Sequence, residues 1–113
     1  MDISYRLDTK KFKTEVYDIV ASIPRGKVLT YGLVARLAGY PNHSRLVGKI
    51  LGGASEAHGV PCYRVVNSQG RTAPCWDKQQ ELLEAEGVTF KTNNRVDLKT
   101  SLWNIMDNGN IQE

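Results

Sequence analysis

The stretch that decides the fold runs from residue 30 to residue 53 and reads TYGLVARLAGYPNHSRLVGKILGG. Thr30 is a good amino-terminal cap for a short helix, and Gly39 is suited to end that helix. After a turn, Asn42 is placed to cap a second helix, which a glycine pair stops. Apolar residues recur at helical spacing in both segments. Two short helices around a turn that contains glycine predict a helix-turn-helix.

A longer helix is predicted before this motif. Asp8 and Thr9 are good caps at its start, and Pro24 closes it. The pair Val28-Leu29, which follows a turn, is expected to be extended. The apolar residues at helical spacing in the longer helix are Phe12, Val16, Ile19, Val20 and Ile23.

After the motif, irregular backbone is predicted from residue 54 to residue 76. A short extended piece spans Tyr63 to Val66, and a turn follows at residues 67–70. A polar helix runs from Asp77 to Glu86, with Gly87 as its stop. The apolar residues of the remaining tail are expected to pack back on the domain: Val88, Phe90, Val96, Leu98, Leu102 and Trp103.

Residues 1–107 are therefore predicted to form one mainly α domain, a winged-helix-like helix-turn-helix fold with a short extended segment. Residues 108–113 are expected to be a flexible tail. The sequence has no apolar run typical of a signal peptide or a membrane span, which favours a cytoplasmic protein without a membrane partner. A reducing compartment favours free thiols at Cys62 and Cys75, with a disulfide between them as the alternative.

Positive charge is concentrated in the middle of the chain. Between Asp18 and Asp77 the single acid is Glu56 and seven residues are basic, so this stretch carries +6 while the whole chain carries +3. Clustered cations suit a polyanion such as nucleic acid. Charge alone leaves a solvated basic face as an equal alternative. The seven basic residues are Arg25, Lys27, Arg36, Arg45, Lys49, Arg64 and Arg71.

Four blocks of sequence carry a resemblance to a known family. They are GKVLTYG at residues 26–32, ARLAG at residues 35–39, RLVG at residues 45–48 and VPCYRVVN at residues 60–67. In this order and spacing they resemble the O6-alkylguanine-DNA alkyltransferases over roughly residues 9 to 90. The chain is most similar to the short alkyltransferase-like proteins, which bind alkylated guanine without repairing it. The resemblance implies a helix-turn-helix that enters the minor groove and flips the damaged base.

The resemblance places the acceptor of the alkyl group at Cys62. Active members have the motif Pro-Cys-His-Arg-Val, in which the histidine draws off the thiol proton and a glutamate orients it. Here the motif is PCYRV, so Tyr63 replaces the histidine while Glu86 matches the glutamate. A phenol of pKa about 10 is not a base near neutral pH, and we therefore expect a broken proton relay. By residue type alone, Cys62 would be read as an inert buried side chain.

The same resemblance assigns the residues that contact DNA. Tyr31 matches the tyrosine that crowds the target phosphate and bonds to the flipped guanine, so it joins Cys62 and Glu86 as a catalytic residue. Arg45 matches the arginine that fills the gap left by the flipped base. Without the motif, these two residues would be read as a packed aromatic and an ordinary surface cation. The exposed side of the second helix is expected to carry Asn42, His43 and Ser44, and the other predicted DNA contacts are Lys49 and Ser68.

The pocket for the flipped base is expected to be framed by Cys62, Tyr63, backbone groups of Val65, and Trp76. In this interpretation Trp76 stacks on the purine, and a ring that covers the core is an equal alternative. The asparagine that active enzymes carry as a hinge falls at about Ala54. This departure points toward the group that binds the lesion without repairing it.

Three functions follow as hypotheses. The first is a protein that holds O6-alkylguanine in duplex DNA beside Cys62 and flags it, with nucleotide excision repair proteins as further partners. The second is a single-turnover methyltransferase with Cys62 as acceptor, and the third is a helix-turn-helix transcription regulator, which leaves residues 60–67 unexplained. No cofactor or metal is expected, because His43 and His58 form no ligand cluster. We expect a monomer that associates with the nucleoid when it binds DNA.

Overall fold

The computed structural model describes residues 7–54, 59–74 and 76–105, which form five helices, a short 3-10 turn and a two-stranded sheet. This composition confirms the predicted, mainly α class. Three of the predictions concern Cys75, His58 and the tail at 108–113, and these lie outside the described residues. Among the helices that are described, none is long and apolar enough to cross a membrane.

The first helix, α1, spans Thr9–Ala21. Its predicted cap is confirmed, since the Asp8 carboxylate accepts a hydrogen bond from the backbone N–H of Lys11 at 3.2 Å. The apolar side of α1 is buried in the main core and faces the helix-turn-helix. The fully buried residues of this helix are Phe12, Val16 and Val20.

The first helix of the helix-turn-helix, α2, spans Tyr31–Leu37. Thr30 caps it as predicted, because its hydroxyl oxygen accepts a hydrogen bond from the backbone N–H of Leu33 at 3.2 Å. Gly39 follows the helix with a φ of +95°, a conformation that glycine adopts without strain. The start and the end of α2 are therefore both encoded locally.

The second helix, α3, spans Ser44–Ala54, and the predicted cap at Asn42 is wrong. The helix begins one residue later than that cap requires, and its first turn is closed by the carbonyl of His43, which accepts from the N–H of Val47 at 3.1 Å. The ring of His43 packs edge-on against Tyr40, with ring centroids 5.6 Å apart. The backbone N–H of His43 also donates to the carbonyl of Tyr40 at 3.0 Å, and this turn precedes the helix, which begins at Ser44.

A parallel pair of short strands joins the helix-turn-helix to the segment after it. Strand β1 covers Leu29–Thr30 and strand β2 covers Val65–Val66, with Leu29 opposite Val65 and Thr30 opposite Val66. A 3-10 turn at Cys62–Arg64 leads into β2. The extended piece is thus shorter than predicted, because Tyr63 belongs to the turn. In this parallel register, Tyr31 follows one end of the strand pair, whereas the turn with Cys62 precedes the other end.

The tail packs back on the domain, as predicted. Helix α4 spans Lys78–Ala85, and a four-residue helix, α5, spans Leu98–Ser101. The backbone N–H of Val28 donates to the carbonyl of Ser101 at 2.9 Å, and that of Trp103 donates to the carbonyl of Val28 at 2.8 Å. These bonds fix the tail beside β1.

The turn at residues 67–70 requires glycine at its last position. Gly70 has a φ of +83°, and a Cβ atom there would come within 2.5 Å of the Val96 carbonyl oxygen. Its own carbonyl accepts from the N–H of Val96 at 2.8 Å. Because the two backbones approach so closely, this glycine lets the turn lie against the tail at Val96, which belongs to a second small core together with Val66 of β2.

Candidate functional site

A cavity of about 580 Å³ opens beside the 3-10 turn that carries Cys62. The thiol-bearing residue is 5% exposed, so it lies at the edge of the core and in the wall of the cavity. The structure therefore brings together three of the four residues predicted to frame a base pocket. These three are Cys62, Tyr63 and Trp76.

The fourth predicted residue of the pocket, Val65, is not placed in this wall. Its side chain is fully buried. Its N–H donates to the carbonyl of Cys62, and its own carbonyl accepts from the side chain of Gln79 at 2.9 Å. Both backbone groups of Val65 thus have partners within the fold, and a role for the backbone around Val65 in framing the base stays a prediction.

The Cys62 thiol is held in its protonated form by its surroundings. Burial raises its pKa above the ordinary value, and a backbone hydrogen bond at the same residue offsets only part of that rise. Within the described ranges, no side-chain hydrogen bond or ion pair reaches the Cys62 thiol. The thiolate, which is the nucleophilic species, is therefore less populated near neutral pH than in an exposed cysteine.

Glu86 lies at the centre of a dense polar network. Its carboxylate accepts from the Tyr63 hydroxyl at 2.5 Å, from Nη2 of Arg64 at 2.6 Å and from the backbone N–H of Gly26 at 3.1 Å. Arg64 also donates to the carbonyl of Ile23 at 2.8 Å. The Glu86 side chain is 3% exposed, and that of Arg64 is 15% exposed. We call these four residues, Gly26, Tyr63, Arg64 and Glu86, the Glu86 network.

This network makes the Glu86 carboxyl a stronger acid than that of an ordinary glutamate. Burial alone would raise the pKa of the carboxyl, but the hydrogen bonds from Arg64, Tyr63 and Gly26 and the Arg64 charge outweigh it and lower the pKa to about 2. A carboxylate of such low pKa is a poor proton acceptor near neutral pH. Its charge and its lone pairs are engaged in holding α4, the 3-10 turn and the end of α1 together.

The connection between Tyr63 and Glu86 is a direct hydrogen bond. The sequence predicted that Tyr63 cannot serve as the base between the thiol and Glu86, and the Tyr63 hydroxyl donates to the carboxylate. Burial and this hydrogen bond raise the pKa of Tyr63. The relay thus ends in two groups that take no proton from a thiol near neutral pH, a phenol and a carboxylate of pKa about 2.

Tyr31 lies between α3 and Cys62. A Cβ atom on Gly48 of α3 would be 3.9 Å from Cδ1 and Cε1 of the Tyr31 ring, so the ring lies over the helix at that glycine. Burial raises the pKa of the Tyr31 hydroxyl, and the nearby Cys62 adds to that rise. The first residue of α2 therefore links the helix-turn-helix electrostatically to the cysteine.

The exposed side of α3 carries two cations. Arg45 and Lys49 are exposed and lie one helical turn apart. Within the described part of the chain, neither side chain forms an ion pair or a hydrogen bond. Both charges are therefore available to an external anion. Ser44 is half-buried at the first turn of the same helix.

The prediction that Asn42 and His43 lie on the exposed side of this helix is wrong. Both residues precede α3, and only Asn42 is exposed. The ring of His43 lies against Tyr40 and, with centroids 6.2 Å apart, against Phe12. Aromatic packing therefore determines the position of His43.

The remaining predicted site residues lie in the segments after α3. Ser68 is exposed at the turn after β2. Trp76 is half-buried, lines the cavity and also packs against the main core, as the alternative interpretation expects, while its stacking on a purine stays a prediction. The side chain of Ala54, at the position of the expected hinge, lies outside what the structure describes.

Sequence reasoning missed the role of Gln79. This fully buried side chain accepts from the N–H of Ala73 at 2.7 Å and donates to the carbonyls of Tyr63 and Val65, each at 2.9 Å. It thereby ties the cavity-lining Tyr63 and the segment at Ala73 to α4. The one available signal was a polar residue four positions before the buried Leu83, on the same side of a helix.

Comparison with known proteins agrees with this geometry. A family model described as the DNA-binding domain of 6-O-methylguanine DNA methyltransferase matches residues 11–88. A Vibrio parahaemolyticus protein named DNA base-flipping protein is 38% identical over 96 residues, which cover 82% of this chain and 96% of the relative. Alkyltransferase-like protein 1 of Schizosaccharomyces pombe is 37% identical over 97 residues, which cover 81% of this chain and 90% of the relative.

Among solved structures, the fold is similar to that of S. pombe Atl1 in complex with damaged DNA containing O6-carboxymethylguanine. The TM-score is 0.75 at 35% sequence identity, and the match covers 88% of this chain and 98% of the other. The family model, the relatives and this structure agree on the same domain. The chain therefore belongs to the O6-alkylguanine-DNA alkyltransferase family, through the DNA-binding domain of that family, and its relatives include a DNA base-flipping protein and an alkyltransferase-like protein.

Proposed function

We propose that this protein binds duplex DNA, flips an O6-alkylguanine into the cavity beside Cys62 and holds it there without rapid alkyl transfer. The observation that carries the proposal is the Glu86 network. The only carboxylate that contacts Tyr63 within the described residues has a pKa of about 2 and is already bonded to Tyr63, Arg64 and Gly26. The residues that the structure describes therefore form a pocket for the base and include no general base for the thiol.

The DNA-binding half of the proposal is supported by the uncommitted charge on α3. Arg45 is exposed and carries a planar cation that is suited to stack in a gap in the duplex and to bond to the orphan base. The Tyr31 ring lies over α3 at Gly48, where it can crowd a phosphate and favour rotation of the nucleotide. Contacts of lower specificity with the DNA backbone are supplied by Lys49, Asn42, Ser44 and Ser68.

The relatives support the lesion assignment. The bacterial relative is named for base flipping, and the fission yeast structure holds DNA with O6-carboxymethylguanine. A cavity of about 580 Å³ leaves room for a purine with an added group. We extend the proposal to a monomer that marks the lesion in nucleoid DNA for nucleotide excision repair proteins.

A stoichiometric alkyltransferase is the second candidate, because Cys62 lines the cavity. In that reaction the thiolate sulfur bonds to the alkyl carbon, the bond from that carbon to O6 breaks, and the guanine recovers the proton that the thiol released. Raised pKa values at Cys62 and Tyr63 disfavour the first step. We therefore assign slow transfer, or none, to the unaltered protein.

Lesion binding is tested by fluorescence anisotropy with matched duplexes that contain guanine or O6-methylguanine. We expect at least about tenfold tighter binding to the lesion duplex, a difference of about 1.4 kcal/mol. Cys62→Ala should retain this preference, because the variant removes the acceptor and leaves Tyr31 and Arg45 in place. Equal affinities for the two duplexes would contradict the proposal and favour a transcription regulator.

A further inference from the structure

A second concavity, of about 890 Å³, lies between α2 and the segment that contains α5. It shares no lining residue with the cavity beside Cys62. Leu33 and Leu37, one helical turn apart, form the α2 wall, and Leu98, Leu102 and Ile105 form the opposite wall. We call this concavity the α2–α5 groove.

The floor and walls of the α2–α5 groove are apolar and accessible. Leu37 is 44% exposed, the highest exposure of any large hydrophobic residue in the described ranges. The other apolar wall residues are half-buried and belong to two different elements. An apolar groove of this volume suits the apolar face of an amphipathic helix.

The charge around the groove has one sign. Lys27, Arg36 and Lys99 line it, and no aspartate or glutamate does so among the described residues. Lys27 donates to the carbonyl of Thr100 at 3.2 Å, whereas Arg36 and Lys99 are exposed and form no ion pair within the same ranges. An apolar floor with a cationic rim is complementary to a helix that has apolar residues on one side and carboxylates beside them.

We propose that the α2–α5 groove is a docking site for an acidic amphipathic segment of a partner protein. The leucine walls take the apolar side of that segment, and Arg36 and Lys99 pair with its carboxylates. A DNA backbone fits this groove poorly, because phosphates offer nothing to cover five apolar side chains. The unpaired cations of α3 lie on another part of the motif, so DNA and the partner can be held together.

This inference goes beyond the proposed function, because it uses no residue of the lesion site. It is tested on the full chain with a synthetic, fluorescein-labelled helical peptide of about 15 residues, with leucines along one side and glutamates beside them. One control peptide has the same composition in scrambled order. A second has lysine in place of each glutamate. Binding is followed by anisotropy.

Two variants and a matched control locate the binding. Leu37→Glu and Arg36→Glu should each weaken binding of the acidic peptide by about tenfold. Leu82→Glu changes the other exposed leucine, which is 37% exposed on α4 and outside the groove, and it should leave binding unchanged. Because Arg36 is exposed, its variant tests the groove even if Leu37→Glu disturbs α2. Lesion-duplex affinity should be the same in all three variants.

Four outcomes would overturn the inference. The first is equal binding of the scrambled or the basic peptide, and the second is equal loss in Leu82→Glu. The third is displacement of the peptide by an unmodified duplex together with weaker duplex binding by Leu37→Glu, which would make the groove a DNA surface. The fourth is binding that is seen only after Met106→Glu and Ile111→Glu are introduced together, which would make residues 106–113 of the same chain the occupant.

Discussion

The outer surface of α3 and the Glu86 network use positive charge in opposite ways. On α3, Arg45 and Lys49 are exposed and have no ionic partner among the described residues. In the network, Arg64 is 15% exposed and bonded to a carboxylate that is 3% exposed. The first region keeps its cations free for a ligand, whereas the second uses its cation to hold the fold together.

This difference shows why the charge pattern of the sequence overstates the field toward DNA. Arg64 counts among the seven basic residues of the central stretch, yet its charge is neutralised by Glu86 at 2.6 Å. Arg25 also lies 4.0 Å from the same carboxylate. The Glu86 network also shows that a glutamate at a position that is catalytic in active family members can stabilise the fold instead.

The largest expected effect is on stability. Arg64→Ala leaves the buried Glu86 carboxylate without its main partner, and we expect the free energy of unfolding to fall by about 3–5 kcal/mol. Arg25→Ala is the matched control, because Arg25 faces the same carboxylate with 70% of its side chain exposed. It should cost about 1 kcal/mol or less. Urea denaturation measures both, and similar losses in the two variants would contradict the contrast.

The pH dependence of stability gives the next largest effect. The Glu86 pKa is lowered from an ordinary value of 4.5 to about 2, so its contribution is fully present above pH 4.5 and is lost as the pH falls toward 2. We expect that contribution to be roughly 3 kcal/mol. The difference in unfolding free energy between the parent and Glu86→Gln should therefore shrink across this window. A difference that stays constant with pH would show that Glu86 is not held ionised by the network.

A moderate effect is expected on the α3 surface. Arg45→Ala should weaken binding to a lesion duplex by roughly tenfold, whereas Lys49→Ala should weaken it by about threefold, because phosphate contacts are many and replaceable. Both residues are exposed, so neither change should alter thermal stability. A strong loss in Lys49→Ala with no loss in Arg45→Ala would show that the base-flipping role of Arg45 is wrong.

The smallest expected effect concerns Tyr63. This residue donates a hydrogen bond to Glu86, and it occupies the position where active family members have a histidine base. Tyr63→His supplies a base of ordinary pKa about 6.5 beside the thiol, and we expect the rate of any alkyl transfer to rise severalfold. Tyr63→Phe removes the hydrogen bond to Glu86 without supplying a base, and it should not raise the rate. Single-turnover transfer from a labelled duplex distinguishes them. Equal acceleration in both variants would mean that the hydroxyl itself restrains the site.

Features encoded over a few residues were predictable from the sequence. The caps at Asp8 and Thr30 are hydrogen bonds between residues three apart, and the class of the fold followed from them and from the apolar spacing. The start of α3 was not predictable, because the ring of His43 packs on Phe12, which lies 31 positions earlier in the chain, as well as on Tyr40. Helix-capping preferences take account only of residues that are neighbours along the sequence.

The chemistry of the site was only partly predictable. Resemblance supplied Cys62 and Glu86 as positions, and the cavity beside Cys62 agrees with the first of them. The bonds of Tyr63 and Arg64 to Glu86 join residues 22 and 23 positions apart, and those of Gln79 span 14 and 16 positions. No periodicity encodes such pairs, since they form only when α4 packs on the 3-10 turn.

Binding of the lesion without rapid alkyl transfer is tested most directly by the intact mass of the unaltered protein. The mass is measured after incubation with an excess of O6-methylguanine duplex, under conditions where anisotropy shows that the protein is saturated with DNA. We expect a bound complex in which the protein mass is unchanged or rises only slowly. Rapid and complete gain of one methyl group, mapped to Cys62, would contradict it and make the protein an alkyltransferase despite the Glu86 network.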